Sequence, residues 1–201
     1  MTEHVLYFWF CWLLWVLVTF FMKKSGLRTY FAIWVLITII LADFFLQWNQ
    51  VIISLPFIAL TIGAVILTSR QPRWFFHLAA SFSTAIGYAT FLFWEMLSPV
   101  WFVMPRAILM TMIFGLLISL LVKPLISKIT VCLLGMAAGE VIYLFTLFNQ
   151  GILTALGDKS FFINLFTLLL FFITAHTLHR IKEKIFDHTE KYKERMMEVV
   201  K

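Results

Sequence analysis

Apolar runs of about 18 to 22 residues recur along the whole chain, each long enough to cross a bilayer as a helix. They fall at roughly 5–22, 29–46, 51–69, 74–95, 103–122, 129–148 and 160–179. Only Asp43, Gln47, Asn49 and Gln50 separate the second run from the third. A polar turn does not belong in lipid, and fusing the two would make a run of about 40 residues, so they count as two spans. The expected fold is all-α: a polytopic transmembrane helical bundle of about seven spans over residues 1–179, with a charged amphipathic cytoplasmic helix at 180–201. Composition agrees. Hydrophobic residues make up 62% of the 201 and charged residues 13%, against roughly 25% charged in a soluble domain.

The formal charge of +6 does not point to nucleic acid, because the basic residues punctuate hydrophobic spans instead of forming a soluble patch. Lys23, Lys24, Arg28, Arg70, Arg73, Lys123, Lys128 and seven residues of the tail fall on one side, 14 of the 16 Lys and Arg. Arg106 and Lys159 fall on the other. The positive-inside rule then puts the N-terminus outside and the C-terminus in the cytoplasm, and requires an odd number of spans. The first span reads as retained, since Glu3 and His4 precede it and the basic residues follow it, the reverse of a signal peptide. Cys11 and Cys132 both lie inside apolar runs, which supports neither a disulfide framework nor a zinc site. No cofactor is expected.

Polar residues inside the spans are the candidates for chemistry. On a helical wheel His77, Ser81, Thr84, Tyr88 and Glu95 fall within a sector of about 60° of the fourth span. Such a stripe should face the bundle interior, either as one wall of a proton, ion or small-solute path or as interhelical hydrogen bonds. Glu140 sits near the middle of the sixth span, one turn from Met136 and from Tyr143. No lysine or arginine lies at mid-depth to neutralise it, so it is either a proton or cation site or a structural hydrogen-bonding group. Thr84 and Tyr88 lie at similar depth and are its most plausible partners.

Gly135 and Gly139, like Thr111, Gly115 and Ser119, recur every four residues and mark close helix packing. Gly139 lies at about 40° and Glu140 at about 140° from Gly135, so the glycines should seat one neighbouring helix while the acid points into another crevice. Asn164, Thr167 and Thr174 share a face of the seventh span that should pack inward. His176, His179 and Glu183 share another near its end, read as interfacial and not as a metal site. In the tail, Ile181, Ile185, Tyr192, Met196 and Val199 form a helical stripe suited to solvent, a membrane surface or a partner helix.

Several enzyme classes fail by absence. There is no H-E-x-x-H, no G-x-S-x-G and no phosphate loop. A rhodopsin would need a mid-span lysine in its last helix, and residues 160–179 contain none.

The aromatic first span (Tyr7-Phe8-Trp9-Phe10-Cys11-Trp12, then Trp15-Val16 and Thr19-Phe20-Phe21-Met22), Glu95 with Pro99-Val100-Trp101, and Gly139-Glu140 carry a resemblance. With them the chain resembles the YphA family, small uncharacterised membrane proteins of Gram-positive spore-forming bacteria. The resemblance implies a bacterial plasma membrane and no activity or catalytic residue. Two functions follow: a non-enzymatic membrane component that binds a partner through residues 180–201, or a small-solute or proton-coupled transporter using Glu140 and the stripe.

Overall fold

A computed structural model describes residues 2–22, 24–48, 51–98, 105–152 and 154–199. Seven helices dominate: α1 (Thr2–Phe21), α2 (Gly26–Ile40), α3 (Leu55–Ser69), α4 (Trp74–Leu97), α5 (Arg106–Leu121), α6 (Leu125–Asn149) and α7 (Lys159–Val199). Proline and capping residues set many of the boundaries. Ser25 Oγ accepts the Arg28 amide at the start of α2, and Pro56 occupies the first turn of α3. Pro105 and Pro124 immediately precede α5 and α6, where a missing N–H costs nothing. Asp158 Oδ1 accepts the Phe161 amide at 2.7 Å and so caps α7.

The helices α1, α4, α6 and α7 are long and apolar enough to cross a membrane, whereas α2, α3 and α5 are shorter apolar helices. The expected second and third spans are trimmed where they meet. The second helix ends at Ile40, and Phe45–Trp48 (β1) and Val51–Ser54 (β2) pair antiparallel instead. A third strand, β3 (Thr154–Leu156), adds parallel to β2. This sheet was not foreseen. Its outer strands carry unpaired backbone groups that hydrocarbon would not tolerate, so it belongs at the boundary of the apolar layer. Asn49 and Gln50 of the polar turn, and Pro99, Val100 and Trp101, lie outside the described residues.

Packing makes a ring of α1, α2, α3, α4, α5 and α7, with α6 touching α3, α4, α5 and α7 from within. Aromatic side chains lock the α1–α2–α3 sector. The Tyr7 hydroxyl donates to Thr38 O at 2.9 Å, the Tyr30 hydroxyl to Gly63 O at 2.9 Å, and the Trp34 indole to Ala59 O at 3.1 Å. In a low-dielectric interior these side-chain donors tie neighbouring helices through carbonyls that already serve the helix.

At the sheet end, Asp43 pairs with Lys159 at 3.1 Å and with His4 at 3.2 Å, joining the α2–β1 turn to α7 and α1. The Lys159 ammonium is the main reason the Asp43 carboxyl is held below its ordinary 3.8. The carboxyl is 60% exposed, so water and salt screen the pair and its stabilisation is a few tenths of a kcal/mol. That contribution is complete above the unfolded value and is lost as pH falls through the lower folded value. Asp43→Asn should therefore lower the melting temperature slightly at pH 7 and progressively less as pH falls below 3.8.

Gly157 has φ +69°, and a Cβ there would meet Phe57 Cδ2 and Ser54 Oγ, each at 2.7 Å. Ser54 Oγ also donates to Gly157 O at 2.6 Å, pinning the turn before α7 to the start of α3. Gly157→Ala combines left-handed strain with overpacking and should cost about 2–4 kcal/mol in thermal or chemical unfolding. An unchanged midpoint would contradict this packing.

Candidate functional site

The polar stripe of α4 does face inward. His77, Ser81, Thr84 and Tyr88 are buried, and Glu95 is partly so. Its members nevertheless do separate things. His77 Nδ1 lies 3.2 Å from Arg73 O and Nε2 lies 2.8 Å from Ser127 Oγ. A carbonyl can only accept, so Nδ1 carries the proton, and in the neutral ring Nε2 accepts from the Ser127 hydroxyl. Thr84 Oγ1 donates to Ala80 O within its own helix at 2.9 Å. Glu95 leaves the stripe to pair with Arg106 at the head of α5, Oε2 to Nε 3.2 Å. That pair is held by charge rather than by alignment, since Arg106 Nε makes no hydrogen bond among the described residues.

The stripe is closed in its middle by the glycines of α6. A Cβ on Gly135 would lie 2.7 Å from Thr84 Cβ and 3.0 Å from Ser81 O. One on Gly139 would lie 2.7 Å from Ala85 O and 2.9 Å from Tyr88 Cδ1. The two backbones are thus in direct contact, as small residues allow in a membrane interior. Glu140 meets the same helix: its carboxyl interacts with the Tyr88 hydroxyl. This corrects the expectation that the glycines and the acid serve different crevices. Both meet α4, the glycines through backbone contact and Glu140 beside the Tyr88 hydroxyl.

Neither the Tyr88 hydroxyl nor Glu140 Oε2 makes a hydrogen bond among the described residues, although both are buried. Interior polar groups are normally partnered, so this pair holds unused donor and acceptor capacity. Tyr143 does not supply it, for its hydroxyl points at Met96 Sδ, 4.0 Å away, and its ring packs on Phe93. Arg106, Ser127 and Asp158 were missed as members of this region. Glu95 and Arg106 lie on different helices, and His77 and Ser127 are 50 positions apart, beyond the reach of helical periodicity.

The remaining candidates are packing residues. Gly115 seats Phe171 of α7, 2.8 Å from where a Cβ would stand, and Thr111 donates to Ala107 O. Ser119 Oγ accepts from Lys128 Nζ at 3.1 Å. In α7, Asn164 is buried but Thr174 is exposed, so that face turns out of the bundle before it reaches Thr174. Among the described residues no three His, Cys, Asp or Glu converge on a metal position.

Two substitutions separate packing from polar contact in this seam. Gly139→Ala should cost about 1–3 kcal/mol, because the opposing atom is a backbone oxygen that cannot yield. Tyr88→Phe should cost under about 1 kcal/mol, because no hydrogen bond is lost. Unfolding measurements that reverse this order would contradict the geometry.

The chain matches the YphA-like integral membrane protein family over residues 3–198. It is 26% identical over 147 residues to a Bacillus subtilis (strain 168) protein described as uncharacterized protein YphA, covering 72% of this chain and 73% of that one. No solved structure matches it. The match runs through all seven helices and most of the α7 extension, and on that ground the chain belongs to the family of YphA-like integral membrane proteins.

Proposed function

We propose that the protein is a non-enzymatic component of the bacterial plasma membrane that binds a protein partner through the part of α7 beyond the bundle. It would cross the bilayer about seven times, with the sheet end outside and the basic end in the cytoplasm. The length of α7 carries this reading. The helix runs unbroken for 41 residues, about 60 Å, twice what a crossing needs. Its last buried residue is Phe172, among those whose burial is described. A helix that leaves the bundle with apolar residues spaced at helical periodicity has the form of a docking arm. The closed α4–α6 seam supports the same reading, because a stripe sealed by glycine contacts offers no continuous wet path.

The basic residues favour the orientation. Arg73, Lys123 and Arg180 gather at one end of the bundle, around one cavity, as the positive-inside rule requires of a cytoplasmic face. Cys11 and Cys132 are buried, so single cysteines at exposed positions can be read cleanly. Gln47→Cys should label from outside in intact cells and Lys24→Cys only after permeabilisation. Labelling of both from outside would contradict this topology.

Deleting residues 184–201 should abolish capture of the partner in a crosslinking pull-down while leaving the melting temperature of the bundle within about 2 °C. Capture that survives the deletion would sink the arm.

The unpartnered Tyr88–Glu140 pair favours a second reading, a proton-binding site. In proteoliposomes under a pH jump, flux present in the wild type and lost in Glu140→Gln supports it, and its absence returns the pair to structure.

A further inference from the structure

The basic end contains a cavity of about 1410 Å³ between α1–α2 on one side and α4, α6 and α7 on the other. Sites for drug-sized ligands occupy roughly 300–1,000 Å³, so this space is large. Its walls are mainly apolar, with Val18, Phe31, Val35, Leu133, Leu169 and Ile173 among them. The recess opens to its surroundings, so water or lipid fills it. Water is a poor filler, since an apolar wall gives it too few hydrogen-bonding partners. What fills it is therefore apolar.

The mouth has a different character. Arg73, Lys123 and Arg180 line it from the α3–α4 turn, the α5–α6 turn and α7, and among the described residues no Asp or Glu lines the cavity. The cations come from three separate segments that converge only in the fold. Arg73 also holds φ 63°, a backbone conformation that favours glycine, yet an arginine stands there. In depth, Leu133 lies eight residues into α6, about 12 Å from its start, which matches one leaflet of hydrocarbon about 15 Å thick.

An apolar recess one leaflet deep beneath three unopposed cations fits a single class of molecule. We propose that this cavity binds an anionic glycerophospholipid from the leaflet at the basic end, its acyl chains between α1–α2 and α6–α7 and its phosphate at Arg73, Lys123 and Arg180. The site is separate from the Tyr88–Glu140 pair and does not depend on the partner-binding reading. Arginine provides bidentate phosphate contacts and lysine a point charge, and both gain strength next to a low-dielectric wall. The bound lipid would then be a structural ligand that fills the space between α1–α2 and α6–α7 at the basic end, where the ring packs less tightly.

Native mass spectrometry of the full chain, released from micelles doped with either phosphatidylglycerol or phosphatidylcholine, tests this. One phosphatidylglycerol should be retained at least tenfold more readily than phosphatidylcholine. Arg73→Gln, Lys123→Gln and Arg180→Gln together should erase that preference, and the charge-conserving set Arg73→Lys, Lys123→Arg and Arg180→Lys should keep it. Val35→Trp, which narrows the recess, should lower retention of both lipids. Should the neutralised chain fail to fold, the wild-type comparison of the two lipids decides by itself. Equal retention of both overturns the proposal, as does retention of neither by a chain that elutes as a folded species. Displacement of the lipid by millimolar inorganic phosphate would also overturn it, because the headgroup alone would then account for binding.

Discussion

The close approach of α4 and α6 underlies most of this fold. In lipid there is little hydrophobic gain from joining two apolar helices, so association relies on dispersion contacts and therefore on backbone proximity. Gly135 and Gly139 supply it, each lying where a single methyl would collide with α4. From this seam α6 reaches α3, α5 and α7, and the rest of the bundle closes around it. The polar groups of α4 take their surroundings from the same contact. Thr84 is sealed against glycine and bonds its own helix, while Tyr88 and Glu140 are brought together without a hydrogen bond.

Either side of the seam, the two ends of the molecule are built differently. The sheet end is tied by short polar links: Asp43 to His4 and Lys159, Glu3 to Ser160, Ser54 to Gly157. The basic end is loosely filled, with a large cavity and a cationic mouth, and from it α7 continues away from the bundle. The centre between these two ends is closed by backbone contact.

Much of this was legible from residues. Among the described residues each of the seven apolar runs carries a helix, and four of these helices are long and apolar enough to cross a membrane. The glycine spacing identified the seam, and the 60° sector of α4 identified the inward face. What periodicity cannot carry is partner choice. Gly139 and Glu140 are about 100° apart on α6 yet both contact Tyr88, since two helices in backbone contact cover a wide sector of each other. The strands at 45–48 and 51–54 were hidden inside apolar runs, where a short strand and a helix end look alike. The ion pair of Glu95 with Arg106 and the bond of His77 to Ser127 link separate helices, and only the fold brings such residues together.

The seam can be tested by a double-mutant cycle on Gly135→Ala and Thr84→Gly, measured by unfolding in lipid-containing micelles. Direct contact predicts that Gly135→Ala is strongly destabilising alone and much less so beside Thr84→Gly, with a coupling of about 1 kcal/mol or more. Additive effects would mean that the two helices do not touch at this position, and would contradict the account at its centre.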